Sequence, residues 1–246
     1  MGLFIAFEGL DGAGTTTQAT LLADRLEAEG VPVHLTKEPS EGPVGNLISL
    51  VLRRRLVSPT AGRPLDPFPD DLLALLFAAD RIDHLHAEIL PKLREGITVV
   101  TDRYILSSYA YQSLGCDLKW IREVNAHAVM PDLTFLIDVP APVCLRRIEK
   151  GRWETELFEG LDKLVVVRKN YLRIAASPIG ESMNVVLLDG EKEVRALQKE
   201  IWERLRSSVQ PGAKEGVEGE GDDSQLGLNL CPADEPGPAT GGEEER

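Results

Sequence analysis

A short apolar run, Leu3 to Phe7, leads straight into glycines at 9, 12 and 14, then Thr15, Thr16 and Thr17, then a helix-like pattern. That order is a buried strand, a tight loop and a helix N-terminus. Its spacing is that of G-x-x-x-x-G followed by K-[ST], placed directly after a strand and opening a helix. The glycines let backbone N–H groups come close to a phosphate, and the helix N-terminus adds positive potential there. Residues Gly9, Leu10, Asp11, Gly12, Ala13, Gly14, Thr15, Thr16 and Thr17 are therefore expected to hold nucleotide phosphates. Thr16 takes the hydroxyl position that ligates Mg²⁺ in such loops. Thr15 stands where the pattern has lysine, so the cradle is kept and its fixed positive charge is missing.

The rest of the chain repeats the alternation. Candidate strands are 3–7, 31–35, 97–101, 133–138 and 185–188, all nearly continuous in apolar residues. Such runs suit a parallel sheet covered on both faces. Helical patterns fall near 16–29, 44–56, 70–94, 104–114, 117–128, 140–150, 160–176 and 190–207. The expectation is a doubly wound α/β fold with five parallel strands flanked by helices, binding ligands at the carboxyl ends of the strands.

From residue 209 to 246 the composition turns to Gly, Pro, Glu and Asp without apolar periodicity. Such a stretch buries too little surface to offset its ordering entropy. It reads as a disordered acidic tail behind one domain spanning 1–208. The tail carries ten acids and two bases, a net −8 of the chain's −13, which leaves −5 for residues 1–208. A mildly acidic domain argues against general nucleic-acid binding, which needs a basic face. Cys116, Cys144 and Cys231 are scattered without metal-ligand spacing, as thiols in a reducing compartment would be. No apolar run approaches the length of a membrane span. A cytoplasmic protein without membrane contact is expected.

Further segments, read with the loop, resemble the thymidylate kinase family of P-loop nucleoside-monophosphate kinases. Lys37-Glu38-Pro39 with Gly42-Pro43-Val44-Gly45 is similar to the family's R-E-P-G-G-T-P-x-G. Leu75 to Arg81 with His84 matches L-L-F-x-A-D-R-x-x-H, and Asp102 to Gln112 matches D-R-Y-x-x-S-S-x-A-Y-Q. Pro131-Asp132-Leu133-Thr134 and Asp138-Val139-Pro140 fall where the family has P-D-L-T and D-V-P. The resemblance runs from about residue 3 to 175. It implies transfer of the ATP γ-phosphoryl group to dTMP, Mg²⁺ on Thr16 and Asp11, and a homodimer.

It also implies roles for single residues. Phe77 and Arg81, four apart, share one helix face. A base can stack on the first while the second donates to its carbonyl edge. Taken without the resemblance, Phe77 could be core and Arg81 a surface partner of Asp80 or Asp83. Arg103 suits the acceptor phosphate with its fork of donors, with Lys37 and Glu38 beside it. Ser108, Tyr111 and Gln112 would line the acceptor's base pocket, whereas Tyr109 reads equally as packing. Asp11 and Arg103 are expected to be catalytic, and Glu38, an acid before a proline at a strand end, to hold water or metal.

Two cations of the family pattern are out of place. Thr15 removes the loop lysine, and in the short lid, 151–159, Leu157 aligns with an arginine. Arg152 and Arg147 are the nearby guanidiniums expected to serve instead. The alternatives are a kinase-like nucleotide binder with weak or no catalysis, or a kinase for another monophosphate.

Overall fold

The computed structural model describes residues 2–56, 68–151 and 160–209. Five strands, β1 (Phe4–Gly9), β2 (Val33–Lys37), β3 (Thr98–Asp102), β4 (Leu133–Asp138) and β5 (Val185–Asp189), form one sheet. Their order is β2-β3-β1-β4-β5 and every neighbouring pair is parallel. This is the expected doubly wound α/β sheet. Central β1 is buried along its whole length, as a parallel strand covered on both faces must be. Phe7 tilts against Phe135 of β4 at 5.2 Å between centroids, and Phe4 meets Tyr104 edge-on at 4.9 Å.

Helix α1 (Thr15–Ala28) packs on β1, β2 and β3 and against α10 (Val194–Val209), while α5 (Ile105–Tyr111) packs on β1 and α8 (Leu161–Ala175). Helices α2 (Pro43–Leu52), α3 (Asp70–His84), α4 (Leu90–Arg94), α6 (Leu118–Val124), α7 (Ala141–Gly151) and α9 (Pro178–Ser182) complete the described α-helices.

Several boundaries differ from the sequence expectation, each for a local reason. The second strand starts at Val33 rather than 31: the Val31 amide closes α1 on the Leu26 carbonyl, and Pro32 has no amide to donate. Helix α2 stops at Leu52, four residues short, because the chain turns through Arg54 at φ 54°. The single helix expected over 70–94 is α3 and α4 joined by a π-helical turn, Leu85–Ile89, just ahead of Pro91. A proline cannot donate to the preceding turn and its ring crowds that turn's carbonyl, which the wider turn accommodates. Helix α10 begins at Val194, after a turn in which the Gly190 amide bonds the Asp138 carbonyl at 2.9 Å. The short α9 has no counterpart among the helices expected from sequence.

No helix among the described residues is long and apolar enough to cross a membrane. Arg152, Leu157 and the acidic stretch from 210 onward, Cys231 included, lie outside the described residues.

Candidate active site

The carboxyl ends of β1, β2 and β3 and the loops leaving them enclose a cleft of about 770 Å³. Residues 11–17 form one wall, with Lys37, Glu38, Phe77, Arg81, Arg103, Ser108, Tyr111, Gln112 and Arg147 also lining it. These lining residues are ones expected from the sequence; Arg152 lies outside the described residues. Gly9 and Leu10 support the cleft from behind: Leu10 is buried, and the Gly9 carbonyl accepts from Arg103 at 2.9 Å.

In the loop, Gly12 has φ 80°, and a Cβ there would sit 2.6 Å from the Cys144 carbonyl of α7. Only glycine fits both the left-handed backbone and that approach. Helix α1 carries no acid in its first turn, so its N-terminal field is unopposed within the helix. Thr15 is buried to 6 % exposure, whereas Thr16 and Thr17 are exposed. The Thr16 hydroxyl donates to Asp102 Oδ2 at the end of β3. Asp102 Oδ1 is buried with no hydrogen-bond partner among the described residues. A hydroxyl and a half-satisfied carboxylate are hard oxygen donors. They fit Mg²⁺, which is commonly held by one or two carboxylates with waters and substrate phosphates supplying the rest.

Asp11, which the resemblance sets beside the metal, spends its carboxylate elsewhere. Oδ1 lies 2.6 Å from Arg103 Nη2, and Oδ2 accepts from the Tyr111 hydroxyl at 3.2 Å. Burial next to Asp11 pushes the Tyr111 phenol up, so it stays a donor. Arg103 also donates from Nη1 to Ser107 Oγ at 3.0 Å and the Tyr171 hydroxyl at 3.3 Å. Its backbone is left-handed, φ 72°, a conformation a non-glycine residue keeps only where its surroundings hold it. Beneath this cluster lies Glu8, wholly buried. Desolvation pushes its carboxyl up to about 7, against the opposing pull of Ser107, Arg103 and Tyr104.

At the far end, Phe77 is half-buried with one face to the cleft. Arg81 is 1 % exposed and pairs neither with Asp80 nor with Asp83. It donates to Glu38 at 2.7 Å, to Ser108 Oγ at 2.9 Å and to Asn125 Oδ1. Its Nε, like Gln112 Oε1, is buried without a hydrogen-bond partner among the described residues. Glu38 is committed to Arg81 and to His84, whose Nδ1 lies 3.4 Å away. Asp80 instead bonds the Ser40 amide at 2.9 Å and its hydroxyl at 2.5 Å, fixing the turn after β2. Lys37 is largely exposed and 3.1 Å from Glu41. Tyr109 is wholly buried and does not line the cleft. Arg147 caps the loop from outside, donating to the carbonyls of Gly12 at 3.3 Å, Ala13 at 3.4 Å and Gly190 at 3.1 Å.

Sequence reasoning missed Glu8, Asn125 and Tyr171, and gave Asp102 no role. Glu8 did carry a signal, an acid inside a strand otherwise buried on both faces. Asn125 and Tyr171 carried none, since each reaches the cluster only through the fold.

A family model described as Thymidylate kinase matches residues 7–201. A probable thymidylate kinase of Thermococcus gammatolerans is 44% identical over 180 residues, covering 71% of this chain and 84% of the relative. One of Pyrococcus horikoshii is 44% identical over 175 residues, covering 71% and 83%. One of Pyrobaculum calidifontis is 38% identical over 208 residues, covering 80% of this chain and 100% of the relative.

Proposed function

The chain belongs to the thymidylate kinase family, and we infer from that membership that it transfers the γ-phosphoryl group of ATP to dTMP, giving dTDP for dTTP synthesis. The observation that carries the reading is one cleft joining a phosphate loop to an aromatic, amide- and guanidinium-lined pocket. A protein that only binds ATP has no use for the second half.

The assigned roles follow from chemistry. Backbone amides of residues 9–17 hold the donor phosphates. Arg103 and Lys37 receive the acceptor phosphate, and the base stacks on Phe77. Arg81 and Gln112, which both line the cleft, bring a guanidinium donor and a side-chain amide suited to a carbonyl oxygen and a ring N–H on the pyrimidine edge. Ser108, Tyr111 and Glu38 shape that pocket. Mg²⁺, when bound, neutralises charge on the phosphate oxygens, and Thr16 and Asp102 would hold it. No covalent intermediate is needed, because positioning and electrostatics carry such transfers. Arg147, and Arg152 from the lid, stand in for the absent loop lysine.

Leu72 and Leu75, 40 % and 46 % exposed, share a face of α3 with Ala79 and Ile82, which supports the homodimer that the resemblance implies. The free thiols of Cys116 and Cys144 support a reducing, cytoplasmic setting. Residues 209–246 are an appendage to the catalytic domain. The test is ADP release with dTMP, dUMP and dCMP as acceptors. Saturable turnover selective for dTMP is expected; nucleotide binding without turnover would leave only a binding protein, and selectivity for another acceptor would reassign the substrate.

A further inference from the structure

Glu8 is wholly buried near the end of β1, and the reaction outlined above gives it nothing to do. A buried acid in a central strand is costly where an apolar residue would pack as well. Its carboxylate nevertheless meets four donors. Oε1 accepts the amides of Tyr104 at 2.9 Å and Ser107 at 3.1 Å, and Oε2 accepts the hydroxyls of Ser107 at 2.5 Å and Tyr171 at 3.1 Å.

Three of these four donors adjoin Arg103. The Tyr104 amide is the next peptide along, and so anchors the chain immediately after the left-handed residue. The Ser107 and Tyr171 hydroxyls lie 3.0 Å and 3.3 Å from Arg103 Nη1 and 2.8 Å from each other. A hydroxyl has one proton and two lone pairs. Because both hydroxyls can give their protons to Glu8, both can turn lone pairs toward a guanidinium that has donors only. An amide in place of the carboxylate would offer its NH₂ to one of these groups, and a hydroxyl so met would have to turn its proton away from residue 8, toward the other hydroxyl or Arg103.

We propose that Glu8 is a positioning residue for phosphoryl transfer, holding Arg103 in the pose that grips the acceptor phosphate through the Tyr104 and Ser107 amides and the Ser107 and Tyr171 hydroxyls. This rests on the reading of Arg103 given above. The charged and titratable groups around Glu8 are Arg103 ahead of α5 and Tyr171 on α8, with Asp11, Asp102 and Tyr111 gathered about the same guanidinium.

Glu8→Gln keeps the volume and removes one acceptor face. Its KM for dTMP should rise roughly tenfold, the loss expected of a charged hydrogen-bond network, with the KM for ATP little changed. In an Arg103→Lys background the same substitution should add almost nothing, because Glu8 acts through Arg103. Equal losses in both backgrounds, or equal rises in both KM values, would mean that Glu8 only stabilises the fold and would overturn the proposal. Should Glu8→Gln not fold, Tyr171→Phe removes one relay hydroxyl and carries the same expectation. Calorimetric titration with dTMP reads the coupling without turnover. A chain that binds dTMP but transfers no phosphate therefore fails the kinase reading, while this inference is judged separately.

Discussion

Arg103 Nη2 lies 2.6 Å from Asp11 Oδ1, a contact that ties the end of β3 to the phosphate loop. The guanidinium assigned to the acceptor phosphate is thereby fixed to the loop assigned to the donor phosphates. Both also rest on β1, since the Arg103 amide bonds the Phe7 carbonyl at 2.8 Å. Two reactants held on one rigid frame lose their relative freedom before reaction, a large contribution for a site that works without covalent chemistry.

Arg103→Lys tests that frame. Lysine keeps the charge and loses the planar fork, so it cannot meet Asp11, Ser107 and Tyr171 together. Steady-state kinetics should show kcat/KM for dTMP falling by about a hundredfold, with the KM for ATP within about twofold of the parent. Equal losses on both substrates would place the arginine's role in folding.

Thr15 leaves the loop without its lysine, and Arg147, besides Arg103, is a described guanidinium that reaches the loop, through the Gly12 and Ala13 carbonyls. Arg147→Ala should lower kcat by about tenfold, the scale of one charged hydrogen bond. Thr15→Lys in the same background should recover most of it. Turnover within a few-fold of the parent after Arg147→Ala, with the same result for Arg152→Ala, would remove both as substitutes for the lysine.

The sheet was legible because its strands are rich in apolar residues, most of all the inner β1, β3 and β4, which are buried almost throughout, while the edge strands β2 and β5 are only partly covered. The loop was legible because its glycines are forced by geometry, as at Gly12 against α7. Helix ends were less so: the turn at Arg54 and the π-helical turn before Pro91 depend on backbone detail that side-chain periodicity does not record. At the site, Phe77, Arg81 and Arg103 could be named from short motifs, but their partners could not. Tyr171 stands 68 residues from Arg103 and Asn125 stands 44 from Arg81, and only the fold brings each pair together.

The Arg81–Glu38 pair, 1% and 3% exposed at the side chains, is the most deeply buried ion pair among the described residues, apart from the Glu38–His84 contact. Removing one partner leaves an uncompensated charge, which typically costs about 3–5 kcal/mol. Arg81→Met should therefore destabilise the protein by about that amount in urea unfolding, and adding Glu38→Gln should restore part of the loss. Additive losses in the double variant would mean that the two residues stabilise the fold separately.

Glu8 makes the pH dependence of stability readable. Its carboxyl is raised from 4.5 to about 7 by burial, so the folded chain takes up a proton that the unfolded chain has released. The stabilisation is complete below the unfolded value and is lost as pH rises through the folded one. Across the window from about 4.5 to about 7 the loss comes to about 3 kcal/mol, since one proton bound by the folded chain alone changes stability by about 1.4 kcal/mol per pH unit. The stability difference between the parent and Glu8→Gln should fall by about 2.5 kcal/mol between pH 5 and pH 8, part of the loss having already occurred by pH 5, with other groups cancelling in the subtraction. A pH-independent difference would mean that Glu8 does not titrate near neutrality. If the slope is found, the ionised acid costs stability at the pH where it accepts all four of its donors around Arg103. A group retained against stability in that way is one whose charge serves the site.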